Sequence, residues 1–178
     1  AAQYIWHHVL DNPRVQWSDN LPPYLGKTYN KKEIKDSINN FEKVIFEENV
    51  SQSKVIELLH NQKIISVFGG GSESGRRALG GRSILADPRS EDMKDIINKK
   101  VKHRQWFRPF APSMLREYVS EWFVRDDDSP YMNIVLKFKE EKKSLVPAVV
   151  HKDGTARVQT VTENDNPWYY NFIKMWKE

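Results

Sequence analysis

Apolar residues along the chain fall into short periodic runs broken by proline and glycine, a pattern that predicts several small elements and no long one. Residues 1–30 read as irregular, because Pro13, Pro22 and Pro23 in "DNPR" and "NLPPYLG" oppose regular helix. From Lys31 a helix is expected, with Ile34, Ile38, Phe41 and Ile45 on one face. A second should take Ser51 or Ser53 as its N-cap and turn Val55, Leu58 and Leu59 inward. "KIISVF" (63–68) predicts a buried strand running into a glycine cluster, and "RSILAD" (82–87) a second strand closed by Pro88.

Farther on, Ser90 is the expected N-cap of a helix over 91–102, with Met93, Ile96, Ile97 and Val101 as its apolar stripe. Helical spacing returns at Leu115, Tyr118, Val119, Trp122 and Phe123, which predicts a helix over 114–124. Strand-like runs follow at 131–138, 145–150 and 156–161, the middle one an edge or bulge because of Pro147. Pro167 suits the first turn of a last helix. Helices and strands intermix without an internal repeat, so the fold class is α/β or α+β.

The 178 residues, 39% of them hydrophobic, suffice for one ordinary globular core. No apolar run approaches the ~20 residues of a membrane helix, and the opening "AAQYIWHHVLDNPR" lacks the basic flank and apolar stretch of a signal peptide. The chain has no cysteine, which excludes disulfides and thiol nucleophiles and fits a cytoplasmic location. Charge is more informative. Residues 69–116 carry 11 Lys+Arg against 5 Asp+Glu, while the remainder carries 17 against 19. The whole positive excess therefore sits in one segment, a field that draws anions; the plain alternative is a solvated basic face.

Three stretches carry candidate chemistry. "FGGGSESGRRALGGRSILADPRS" (68–90) gathers six of the eight glycines with Arg76, Arg77, Arg82 and Arg89. Glycines after a strand let backbone N–H groups form an anion nest, and guanidinium forks grip phosphate or carboxylate. The spacing fits neither G-x-x-x-x-G-K-[ST] nor G-x-G-x-x-G. Arg76, Arg77, Arg82 and Ser83 are the phosphate-binding candidates here, whereas Arg89 is expected to pair with Asp87.

In "NKKVKHRQWFRPFAPS" (98–113), Lys102, Arg104 and Arg108 alternate with Trp106, Phe107 and Phe110 before Pro109 and Pro112 stiffen the chain. The aromatics either pack as core, expected for two of the three, or stack a planar ligand. In "HKDGTARVQT" (151–160), Asp153-Gly154 signals a turn between strands, with Arg157 projecting from the following strand. His7, His8, His60, His103 and His151 show no metal-site spacing, and no Ser-His-Asp arrangement is supported.

Together, "SGRRALGGRSILADPR", "MKDIINKKVKHRQWFRPFAPSML" and "HKDGTARVQTV" resemble the C-terminal region of the O-carbamoyltransferases of the nodulation-factor and antibiotic-tailoring family, in the right order and from about Tyr24 onward. The resemblance implies a YrdC-like twisted mixed sheet flanked by helices around a basic cavity. It implies a domain that takes carbamoyl phosphate and ATP, with magnesium, and forms carbamoyl adenylate with release of pyrophosphate. A covalently linked actin/hexokinase-like domain, holding iron, would pass the carbamoyl group to an acceptor hydroxyl. On this reading residues 1–30 are the tail of that preceding domain and 31–178 the YrdC-like domain, truncated before an N-T-S-F-N segment. Carried over by motif, Arg77, Lys102 and Arg108 are the catalytic cations, and Arg157 joins them as a substrate ligand.

The sequence departs from the family's G-R-x-E-F-G-P-R-A-L-G: Gly71 stands in place of the first arginine, Ser74 of the aromatic and Arg76 of the proline, while Gly81 occupies a common asparagine position. Arg76 is the candidate replacement for the missing arginine. Two other classes remain open: a basic RNA-binding module, and a docking surface exposing Trp6, Trp168, Tyr169 and Trp176.

Overall fold

The computed structural model describes residues 1–14 and 23–177; Pro22 and its expected effect lie outside them. The chain starts not irregularly but with a helical segment, α1 (Ala2–Tyr4), continued by a wide π turn at Ile5–Val9. Helix α2 (Lys31–Asn39) begins where expected, because Asn30 and Glu33 form a reciprocal capping box. It ends before Phe41 and Ile45, which lie outside the helix and are exposed, and it buries none of its own residues. Helix α3 (Gln52–His60) is capped by Ser51, whose Oγ accepts from Lys54 N at 3.2 Å. Its buried face is Ile56 and Leu59; Leu58, expected inward, is exposed.

Strand β1 (Ile65–Phe68) and strand β2 (Arg82–Leu85) pair antiparallel, so the glycine–arginine stretch is the loop of a hairpin. β1 is not fully buried: its residues alternate, and Phe68 faces out. Helix α4 (Met93–Ile96) opens into a π turn, Ile97–Val101. Ser90 is not its cap; Asp92 holds that position without a side-chain bond.

The stretch expected as one helix over 114–124 divides. Strand β3 (Ser113–Leu115) comes first, then a 3-10 turn and the short helix α5 (Val119–Trp122). Strand β4 spans only Val135–Lys137. Residues 145–150 do not form a strand, because Pro147 starts a 3-10 turn, Pro147–Val149, instead. The Asp153-Gly154 turn opens β5 (Thr155–Arg157), whose antiparallel partner β4 lies well upstream rather than immediately before the turn. After Val158, β6 (Gln159–Val161) pairs in parallel with β3. Helix α6 (Pro167–Lys177) closes the fold, with Asn166 Oδ1 accepting from Tyr169 N at 3.0 Å as its cap.

The architecture is mixed α and β: among the described residues there are three two-stranded sheets, two antiparallel and one parallel, flanked by helices. One core cluster joins Val119 and Phe123 to Leu136, Phe138, Ala156 and Val158, all but closed to solvent. A second packs Ile56 and Leu59 of α3 against Val161, Tyr169 and Phe172. Each large side chain so buried contributes roughly 1.5–3 kcal/mol, which is what holds such short strands in place. Among the described residues no helix is long and apolar enough to cross a membrane.

Candidate anion-binding site

The glycine loop is closed from inside and outside by opposite charges. Glu73 Oε1 accepts from the backbone N–H groups of Leu79, Gly81 and Arg82 at 2.8, 2.9 and 3.1 Å. Burial alone would push this carboxyl up; the backbone hydrogen bonds outweigh it and hold Glu73 below the usual carboxylate range. On the other side the Arg82 guanidinium donates to the carbonyls of Gly69 at 2.7 Å and Gly81 at 2.8 Å and lies 3.8 Å over the Phe68 ring. Ser83 is buried, and its Oγ accepts from Gly80 N at 2.8 Å. The expected nest therefore exists, but the protein's own carboxylate fills it. Arg82 and Ser83 brace the loop through its own backbone.

Two of the loop's glycines are sterically required. Gly80 has φ +107, and a Cβ there would lie 2.5 Å from the Tyr169 ring. At Gly71, where the resembling family carries arginine, a Cβ would come 2.5 Å from the Tyr24 carbonyl oxygen. The reason is the 24–27 segment running alongside: Gly26 N donates to Ser72 O at 2.8 Å and Ser72 N to Lys27 O at 3.2 Å.

Arg76 and Arg77 stand at the exposed tip of this loop, with no side-chain hydrogen bond or ion pair among the described residues. Arg77 lies close enough to Arg157 on β5 that its charge, after burial, lowers the Arg157 pKa. Arg157 Nε is buried without a hydrogen-bond partner. His151 borders the pair: burial pushes its pKa down, Asp153 opposes, and Arg157 adds to the fall. The Arg77 charge is thus felt at the half-buried Arg157, whose Nε has no hydrogen-bond partner.

The second basic stretch is organised by Asn98, buried on the π turn. Its Nδ2 donates to the carbonyls of Trp106 at 3.1 Å and Arg108 at 2.9 Å, and its Oδ1 accepts from Arg104 Nε at 2.6 Å. Arg104 and Arg108 are brought together: burial, then the Arg108 charge, lowers the Arg104 pKa. The Arg104 guanidinium covers Phe110 at 4.6 Å. The expectation that two of the three aromatics are core fails. Trp106 and Phe107 are 69% and 62% exposed, and only Phe110 packs partly against the core. Lys102 sits at the end of the π turn, exposed and without a side-chain partner among the described residues.

All three stretches meet at Gln159, which is buried on β6. Its Oε1 accepts from Ser113 Oγ at 2.9 Å, its Nε2 donates to Leu79 O at 2.8 Å, and its backbone N donates to Pro112 O at 2.9 Å. The hairpin loop at Leu79 and the end of the 98–113 stretch are thereby tied to one residue, two positions along the chain from Arg157.

The family model for the carbamoyltransferase C-terminus matches residues 56–178. The chain belongs to that family. The match covers the hairpin loop, the Asn98-organised stretch and β5–β6 together. An uncharacterised Synechocystis protein is 35% identical over 99% of this chain, which covers 33% of that protein's length. An uncharacterised Methanocaldococcus jannaschii protein is 38% identical over 92% of the chain and 28% of its own length. Nodulation protein NolO of Bradyrhizobium diazoefficiens is 46% identical over 71% of the chain and 24% of its own length. The chain thus spans about a third or less of these relatives.

Glu73, Asn98 and Gln159 were not candidates on sequence grounds, since their partners are mostly backbone groups created by folding. The one predicted ion pair in the region does form: Arg89 reaches Asp87 at 2.6 Å. Of the residues expected on a docking surface, Trp6 and Trp168 are exposed, but Tyr169 is buried and Trp176 stacks on His60 at 4.4 Å. Among the described residues no group of three acidic or histidine side chains is placed to hold a metal ion.

Proposed function

We propose that this domain binds carbamoyl phosphate and ATP and forms carbamoyl adenylate for transfer to an acceptor hydroxyl by a linked domain. The observation that carries the reading is the Arg77–Arg157 pair, with Arg157 Nε buried and unpartnered. Assembling like charges costs free energy in the empty site, and an incoming phosphate removes that cost. Arg104 and Arg108 form a second cationic pair on the Asn98-held loop, and Lys102 adds an exposed charge at the end of the preceding π turn.

Water takes the phosphoryl group of carbamoyl phosphate as the bond from that phosphorus to the carbamoyl oxygen breaks, and the carbamate oxygen so freed attacks the α-phosphorus of ATP. The bond from that phosphorus to the bridging oxygen breaks, and its electron pair leaves with pyrophosphate. The arginines align the two anions and neutralise charge growing on the leaving group, a preorganised effect worth about 2.7–4 kcal/mol per donor in comparable sites.

Isotope exchange between pyrophosphate and ATP, dependent on carbamoyl phosphate, tests the reading. Exchange should occur in the protein and fall in Arg77→Ala and Arg157→Ala. Absence of exchange together with absence of ATP binding by calorimetry would reject it.

The exposure of Trp106 and Phe107 beside Arg104 and Arg108 favours one other reading, a single-stranded RNA surface. Saturable RNA binding with a steep salt dependence, lost in Trp106→Ala, would support that alternative.

A further inference from the structure

The hairpin loop presents Arg77 through residues that do not themselves touch a ligand. Glu73 collects three backbone N–H groups on one oxygen, from Leu79, Gly81 and Arg82. Those donors lie just after Arg77 and the acceptor just before it, so the carboxylate ties together the two ends of the turn carrying Arg76 and Arg77. Gly81 is packed tightly against it: a Cβ there would sit 3.2 Å from Glu73 Oε1. Ser74 N adds one anchor, donating to Pro23 O at 2.7 Å. Beyond Ser74 the arginines have no side-chain tether among the described residues, so their direction is set by how the loop is closed.

We propose that Glu73 is a positioning residue for Arg77. Its ionised carboxylate occupies the amide nest at the base of the loop and holds the turn so that Arg77 faces Arg157. The ligand's phosphate is consequently met by guanidinium groups and not by loop amides. This inference rests on the reading of Arg77 as an anion ligand.

The test combines a double-mutant cycle with a direct measure of Arg77 order. ATP binding is followed by calorimetry in the wild type, Glu73→Ala, Glu73→Gln, Arg77→Ala and the Glu73→Ala/Arg77→Ala double variant. Glu73→Ala should weaken ATP about tenfold when Arg77 is present and less than about twofold when it is absent, a coupling typical of residues acting as a unit. Glu73→Gln keeps an acceptor oxygen and should recover part of the loss, which also serves if the alanine variant folds poorly. In parallel, NMR relaxation of the Arg77 Nε–H should show increased mobility in Glu73→Ala with Arg157 unchanged.

Equal losses in both arginine backgrounds would reduce Glu73 to a structural residue and overturn the proposal, as would unchanged Arg77 mobility. If Arg77→Ala alone leaves ATP binding intact, the anion-ligand reading fails. The relaxation measurement then still decides whether Glu73 orders Arg77.

Discussion

Gln159 Nε2 donates to the carbonyl oxygen of Leu79 at 2.8 Å, joining residues 80 positions apart inside the protein. The same carbonyl accepts from Tyr24 OH at 2.6 Å, and the other end of the Gln159 amide accepts from Ser113 Oγ at 2.9 Å. One side chain therefore sets the placement of the loop bearing Arg77 and of the end of the basic stretch relative to its own strand, β6.

Gln159→Leu keeps approximate volume and removes both hydrogen bonds. Leu79 O retains Tyr24, but Ser113 Oγ loses its acceptor, so the variant should be destabilised by about 1–3 kcal/mol. Urea unfolding checks this. ATP affinity should fall as well, because the arginines it links lose their common anchor; an unchanged midpoint would show that the bridge carries no load.

Legibility followed the range of the interaction. Capping by Ser51 and the pairing of Arg89 with Asp87 are local, and residue type plus spacing sufficed to read them. The basic candidates were legible as a group because four arginines crowd one glycine stretch. Their division of labour was not. Arg82 turned out to be a brace because it faces carbonyls of its own hairpin, and nothing in its neighbours distinguishes it from Arg77. Two of Trp106, Phe107 and Phe110 read as core because aromatics usually are, yet Asn98 pulls the loop's carbonyls inward and leaves the Trp106 and Phe107 rings outside. The run 145–150 has strand composition, but Pro147 lacks the N–H a ladder needs and starts a 3-10 turn.

Arg157 sets function against stability. Its Nε is buried without a partner, beside the charge of Arg77. Arg157→Met preserves the apolar stem and removes an unsatisfied donor, so the fold should be as stable as the wild type or more so, by up to about 1–3 kcal/mol. ATP affinity should fall at least about tenfold, through loss of a buried charged contact. Thermal melting and calorimetry on the same preparation check both halves. A variant that is less stable but still binds ATP would contradict the assignment.

Asn98 offers a sharper substitution. Its Nδ2 serves the carbonyls of Trp106 and Arg108, and Asn98→Asp replaces that donor by an oxygen facing two other oxygens. A new ion pair with Arg104 does not relieve this, because the two carbonyls remain opposed. The loop should open, and trypsin should cut faster after Arg104; the bond after Arg108 is protected by Pro109. Cleavage at the wild-type rate would mean that the loop is held by something other than Asn98.

Asp87 gives a pH dependence whose sign can be worked out. Its side chain is closed to solvent, and its oxygens accept from Arg89 N at 2.9 Å, Arg89 Nη2 at 2.6 Å and Gln62 Nε2 at 3.0 Å. Burial alone would push its pKa up; the Arg89 and Gln62 hydrogen bonds and the Arg89 charge bring it below the ordinary value. A depressed folded pKa means that, between the folded and unfolded values, the unfolded chain binds more protons. Stability from this group is then complete above the unfolded pKa of about 3.9 and is lost as pH falls through the folded one. Asp87→Asn should cost about 1.5–3 kcal/mol at pH 7, the worth of hydrogen bonds to a charged group. The gap between wild type and variant should stay constant from pH 7 to about 5 and narrow below about 4. Glu73 has a depressed pKa of the same sign but is present in both proteins, so the difference isolates Asp87. Urea titrations across that range read the gap directly, and one that widens in acid would mean that burial, not Arg89, governs the carboxylate.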